Sequence, residues 1–284
     1  MRLCKVQLRS AEIRVGALID DEVRLLDVGR NSLSDILNAE HAGRLAHNLI
    51  DDRGPSVPIN AVTFLSPIDQ QEVWAAGVTY KRSQEARERE SVGAAKFYDL
   101  VYSAPRPELF FKANAPRVSG PGEPVHVRRD SRWSVPEPEL ALVISPTLRI
   151  VGYTIGNDMS ARDIEGENPL YLPQAKVYDR SCAIGPVITL AEAMPPLADV
   201  TIRLIIERND AAVFDGSTSI ARMARPFDDL VDWLGRENSF PQGVVLLTGT
   251  GVVPPDDFNL APGDVVHIDI SGVGRLSNPV AWRE

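Results

Sequence analysis

With only two cysteines, Cys4 and Cys182, among 284 residues, the chain has no disulfide framework to hold it. No apolar run approaches the roughly 20 residues that a membrane-spanning helix needs. The first residues, Met1-Arg2-Leu3-Cys4-Lys5-Val6-Gln7, lack the long apolar segment of a secretory signal. These absences predict a cytoplasmic protein with no membrane partner. Positive charge is also in deficit, since 30 Lys and Arg against 39 Asp and Glu leave a formal net charge of −9. No Lys/Arg run is long enough to displace counterions from a phosphate backbone, so a generic nucleic-acid binder is excluded.

What is present is an ordinary globular composition, 44% hydrophobic and 24% charged, enough for one large core or two smaller ones. Residues 1–66 read as a small N-terminal α/β unit. Val6-Gln7-Leu8, Arg14 to Ile19 and Val23 to Leu26 look like short strands, with Asp20-Asp21 as a tight turn. The apolar spacing of Ile36, Leu37, Leu45, Ala46 and Leu49 suits a helical hairpin or one broken helix. A polar, Pro-rich stretch at 51–58 reads as a linker or surface loop, and the boundary falls near Ser66-Pro67.

From Val73 onward, short apolar strands punctuated by Gly and Pro predict a rolled or sandwiched sheet rather than alternating strands and helices. Helical patches interrupt it at Lys81–Ser91 and at Phe227–Asn238, where Leu230, Val231 and Leu234 recur at helical spacing. The expected architecture is α+β, with a catalytic domain over 67–284. The Arg- and Glu-rich run to Glu90, followed by Gly93-Ala94-Ala95, suits a mobile cover over residues 81–100.

Ser134-Val135-Pro136-Glu137-Pro138-Glu139 runs into Leu140-Ala141-Leu142-Val143-Ile144, apolar at every position like a strand buried on both faces. Alternation puts Glu137 and Glu139 on one face, about 7 Å apart along the strand. Two carboxylates leading into a core repel each other unless a cation lies between them; the plainer reading is a solvent-exposed strand end. A second apolar strand, Ile150 to Ile155, ends in Gly156-Asn157-Asp158. Convergence of Glu137, Glu139 and Asp158 would provide hard oxygen ligands for Mg²⁺, Mn²⁺ or Ca²⁺. Zinc is disfavoured, because neither Cys nor His lies near any of the three.

Several segments resemble the fumarylacetoacetate hydrolase superfamily. They are Trp74 to Tyr80, Phe110-Phe111-Lys112, Glu137-x-Glu139, Gly152 to Asp163, Lys176, Gly185-Pro186, Thr248 to Val252 and Pro262-Gly263-Asp264. The resemblance implies a mixed β-roll catalytic domain, a divalent metal on Glu137, Glu139 and Asp158, and a homodimer or dimer of dimers. Within the superfamily, Arg162 to Tyr178 looks most like the 2-keto-3-deoxy-D-arabinonate dehydratases. Hydrolytic members carry a water-activating His and Glu after the first motif. Here Ser83 stands where that His is expected, and none of His41, His47, His126 and His267 falls in the segment.

Hydrolysis of a carbon–carbon bond needs a base that activates water, whereas dehydration needs a base at the carbon alpha to a ketone and an acid that expels hydroxide. The missing His tilts the reading toward a Mg²⁺-dependent dehydratase of a small 2-keto-3-deoxy sugar acid in pentose catabolism. The alternatives are a hydrolase of an acylpyruvate or fumarylpyruvate, an oxaloacetate decarboxylase, or a non-catalytic protein that keeps the fold.

On this reading Lys176 is the proton carrier at C3, against the plainer reading of a salt bridge to Asp179 or Asp163. Glu108 handles the departing hydroxyl, against an exposed loop carboxylate. Lys112 sits at the base of the metal pocket. Arg82, Ser83 and Phe111 contact substrate, as does Thr250 unless it is merely a turn residue. Trp133 and Tyr171 are packing or pocket-wall residues.

Overall fold

The computed structural model describes residues 1–27, 29, 32–50, 56–80 and 101–284. Three apolar, β-branched segments organise it as the strands Pro138–Ile144, Ile150–Asp158 and Val244–Leu247. The 138–144 strand is buried at every residue because it lies between the other two, antiparallel to both. Leu140, Leu142 and Ile144 pack into the main core, while Ala141 and Val143 turn to cores on the other face. Continuous apolarity, with no polar alternation, is what two covered faces require.

Twelve strands form the large sheet. Its main path runs Ser56–Pro58, Glu22–Leu25, Ile13–Ile19, Arg2–Leu8, Cys182–Leu190, Ile150–Asp158, Pro138–Ile144, Val244–Leu247, Glu72–Gly77 and Glu108–Ala113. Val62–Leu65 pairs with Arg2–Leu8, and Val118–Ser119 with Cys182–Leu190. Five strands form a second sheet, in the order Ala211–Ser219, Thr201–Arg208, Val265–Ile270, Gly274–Trp282 and Val125–Val127. The main core joins the two, with Leu140 and Leu142 of one sheet clustered with Ile202, Leu204, Val266 and Ile268 of the other. This is the α+β, mixed β-roll architecture that the resemblance implied.

Helices are short. Leu33–Asn38 and Ala42–Asn48 are two short helices, where the sequence suggested a helical hairpin or one broken helix. Phe227–Gly235 begins directly after Pro226 and buries Leu230, Val231 and Leu234, as its spacing predicted. Among the described residues no helix is long and apolar enough to cross a membrane. The helical reading of Lys81–Ser91, the cover at 81–100 and the contacts assigned to Arg82 and Ser83 lie outside the described residues.

The first strand extends the large sheet through the pairs Arg2↔Thr189 and Leu3↔Ile188. A polar knot ties the same region together from the side. The Asp69 carboxylate takes the Lys5 ammonium, the Ser34 N–H at 2.9 Å and the Ser34 hydroxyl at 2.6 Å. Gln71 closes the ring, donating to Ser34 Oγ at 2.6 Å and accepting the Asp69 N–H at 2.7 Å. Burial opposes ionisation of Asp69, yet these donors hold its pKa below the ordinary aspartate value.

Asp69→Ala is expected to cost about 1–3 kcal/mol at neutral pH by leaving buried donors unpaired. Because the folded pKa is the lower one, this stabilisation is complete above the ordinary carboxylate range (about 4) and fades as pH falls below it. Thermal denaturation of wild type and variant across pH checks this: the two melting temperatures should converge in acid.

Candidate active site

The site is built where two central strands run out. Strand alternation places Glu137 and Glu139 on the face shared with Ala141, and the neighbouring strand ends at Asp158, whose N–H donates to the Glu137 carbonyl at 2.9 Å. Carboxylate oxygens of Glu137, Glu139 and Asp158 lie within 4.8 Å of one another, and all three residues are buried. The exposed-strand-end alternative is therefore wrong: both faces of these strands are covered before the carboxylates are reached.

Three buried cations answer the three carboxylates. Lys176 Nζ donates to Glu137 Oε2 at 2.9 Å, Asp158 Oδ2 at 3.0 Å and Ser160 Oγ at 2.5 Å. Lys112 Nζ pairs with Asp158 Oδ1 at 2.5 Å and donates to the backbone oxygens of Met159 (2.9 Å) and Lys176 (2.5 Å). Arg162 Nη2 donates to Glu137 Oε1 at 2.8 Å. The salt bridges from Lys176 to Asp179 or Asp163 do not form. Asp163 instead caps Ser131 and the Arg132 N–H, and Asp179 faces Arg117 and Arg283.

Burial, together with the charges of Asp158 and Glu137, pushes the Glu139 pKa well above the ordinary glutamate value; the Gly249 N–H, donating to Oε2 at 2.5 Å, works against the shift. Burial likewise drives the Lys112 pKa down, against the opposing pull of Asp158. Gly249 approaches this closely because its φ is +93°, and a Cβ there would stand 2.0 Å from Thr79 Oγ1.

An all-oxygen set of three carboxylates suits a hard, octahedral dication such as Mg²⁺. Cys182 lies closer to it than the sequence suggested, opposite Asp158 in the strand register. Burial raises its thiol pKa to about 12, so it stays protonated and is a poor ligand.

The strand Glu108–Ala113 leads away from the carboxylates. Its register against Glu72–Gly77 slips by one between Ala113 and Phe111, so Lys112 has no partner across the ladder. Such a bulge re-aims a side chain, here toward Asp158. Phe110 holds its ring 5.7 Å from Lys176 Nζ, whereas Phe111 packs edge-on against Trp74 at 6.1 Å. Glu108 lines a cavity of about 280 Å³ with Val101, Arg106, Glu165, Pro169 and Leu172. Thr250 spends its hydroxyl on the Val252 backbone, donating to the carbonyl at 3.1 Å and accepting the N–H at 3.2 Å. Trp133 accepts the Arg162 N–H at its carbonyl, and Tyr171 is 37% exposed.

Sequence reasoning missed Ser160, Arg162, Glu165 and the Gly249 N–H. Arg162 and Glu165 had a usable signal, because charges three residues apart directly after a buried strand share one helical face. The Gly249 contact had none.

A buried carboxylate triad clasped by lysines on a mixed β-roll defines a class, the fumarylacetoacetate hydrolase superfamily. The chain belongs to the fumarylacetoacetate (FAA) hydrolase C-terminal family, whose model matches residues 72–281. It is 50% identical over 214 residues to the probable 2-keto-3-deoxyxylonate dehydratase of Haloferax volcanii, covering 75% of this chain and 73% of that one. It is 43% identical over 233 residues to the 2-dehydro-3-deoxy-D-arabinonate dehydratase of Saccharolobus solfataricus, covering 80% and 78%. A solved 2-keto-3-deoxy-D-arabinonate dehydratase complexed with magnesium and 2,5-dioxopentanoate superimposes with a TM-score of 0.85 at 36% identity, over 100% of both chains.

Gly77 offers a test of Glu108. A Cβ at Gly77 would stand 1.9 Å from Glu108 Oε2, the far end of a flexible side chain. Gly77→Ala is expected to displace that carboxylate and lower kcat at least about tenfold, while the melting temperature changes little. Steady-state kinetics and a thermal melt on the same preparation check it.

Proposed function

We propose that the chain is a Mg²⁺-dependent hydro-lyase that converts 2-dehydro-3-deoxy-D-arabinonate to 2-oxoglutarate semialdehyde. The observation that carries this reading is Lys176 Nζ, held against Glu137 and Asp158 in a site where none of the four histidines joins the network. A proton carrier beside the metal carboxylates, without a His to activate water, suits elimination better than hydrolysis. The dehydratase relatives support it. Their two sugar-acid names converge chemically: conversion to a 2-keto-3-deoxy acid erases the stereocentres at C2 and C3, where xylonate and arabinonate differ, and leaves only C4.

Glu137, Glu139 and Asp158 would hold the dication. Bound there, Mg²⁺ (Mn²⁺ or Ca²⁺ by the same donor logic) supplies a Lewis acid that polarises the substrate's 2-keto group and acidifies C3. Lys176, entering the cycle as the neutral amine beside those carboxylates, would take a proton from C3. Glu108, on the cavity side, gives a proton to the hydroxyl leaving C4. Lys112 keeps its place between Asp158 and the backbone of Lys176, holding both in register. Arg162 orients Glu137. We further place the protein in the cytoplasm, in pentose catabolism, as a homodimer or dimer of dimers.

Purified protein with Mg²⁺ should form the semialdehyde from this acid, and chelator should abolish the activity. Glu137→Gln and Asp158→Asn should each lower kcat/KM at least about 100-fold and weaken Mg²⁺ binding in calorimetry. Full activity in chelator, or turnover of acylpyruvates instead, would overturn the assignment.

A further inference from the structure

We propose that Glu165 is a second proton carrier of this reaction, working at C5 and C4 of the substrate while Lys176 works at C3. The inference rests on the dehydratase reading above.

Loss of water alone does not yield the semialdehyde. Breaking C3–H and C4–O gives 5-hydroxy-2-oxopent-3-enoate, with the C3–H electron pair now in the C3=C4 bond. To reach the aldehyde, C5–H must break, its electrons forming C4=C5, while the C3=C4 pair shifts to pick up a proton at C3. The resulting enol then gains a proton at C4 and loses one from its C5 hydroxyl. Six proton transfers are needed in all, and they extend to the end of the substrate remote from the metal carboxylates.

Two structural elements run from those carboxylates to that remote end. One is the strand Glu108–Ala113, passing from Lys112 at Asp158, through Phe110 at Lys176, to Glu108 at the cavity. The other is the helix Arg162–Glu167. It opens on Arg162, 2.8 Å from Glu137, and three residues later, on the same face and about 4.5 Å further along the axis, comes Glu165. C2 and C5 are separated by three carbon–carbon bonds of about 1.5 Å each, a comparable span. Glu165 is 1% exposed and lines the same cavity as Glu108. A substrate with its 2-keto end at the triad would therefore lay C4 and C5 between two carboxyl groups.

With these roles the proton count closes. Lys176, entering as the neutral amine, removes a proton from C3 and returns one there. Glu165 removes one from C5 and delivers it to C4. Glu108 protonates the departing hydroxide and recovers a proton from the C5 hydroxyl as the aldehyde forms. Every group ends the cycle as it began, and the net reaction is loss of one water.

Full-length protein with Mg²⁺ is incubated in D₂O with the sugar acid, unlabelled or dideuterated at C5, and followed by NMR. In Glu165→Gln, aldehyde formation should fall at least about 100-fold, while exchange of the C3 hydrogens continues at the wild-type rate and the olefinic intermediate accumulates. In Glu165→Asp, which keeps the charge, the C5 deuterium isotope effect should exceed that of the wild type. Aldehyde formed at the wild-type rate by Glu165→Gln, or loss of C3 exchange together with aldehyde, overturns the proposal. Should Glu165→Gln fail to fold, an isotope effect in Glu165→Asp equal to wild type overturns it. A wild-type protein that neither exchanges C3 nor forms aldehyde instead sinks the dehydratase reading itself.

Discussion

Three carboxylates within 4.8 Å, stripped of water, are the constraint on which the centre of the molecule depends. Their mutual repulsion and lost hydration are offset by an equal number of buried cations, Lys112, Lys176 and Arg162. Each cation bridges more than one element. Lys176 ties the ends of two sheet strands to the short helix Leu172–Lys176, and Lys112 ties Asp158 to the backbone carbonyl of Lys176 itself. Both lysine ammonium groups are surrounded by acceptors, three for Lys176 and three for Lys112.

The β-roll supplies what such a cluster needs. Central strands covered on both faces deliver the carboxylates at their ends with little freedom, and other elements bring up the groups to which the proposed mechanism gives proton transfer. Along the strand Glu108–Ala113 come Lys112 on Asp158, then Phe110 beside Lys176, then Glu108, which shares its cavity with Glu165. In the proposed mechanism this spacing keeps the metal-holding carboxylates apart from the carboxyl groups that serve C4 and C5.

Much of this was legible in the chain. The period-two placement of Glu137 and Glu139 ahead of a wholly apolar run, and Asp158 at the end of another, marked the three carboxylates as candidates from local pattern, whereas their meeting was what the family resemblance implied. The helix at 227–235 was equally local. Long-range partnerships were not. Arg162 binds Glu137 because the two arms of one hairpin stay paired beyond its strands, and Lys112 reaches Asp158 through a slipped register that no propensity encodes. Phe110 rather than Phe111 faces Lys176 for the same reason, since which of two adjacent aromatics points inward depends on strand register. Thr250, read as a substrate contact or a turn residue, has its hydroxyl engaged in its own turn.

The first strand of the chain lies along Cys182–Leu190 through Leu3↔Ile188, while the family match begins only at residue 72. A protein trimmed to that match would retain the whole carboxylate triad yet bare the N–H and C=O row at Ile188 and Thr189. Unsheathed rows of this kind can recruit strands from other molecules, and the first strand covers that row in the sheet that bears the carboxylate triad.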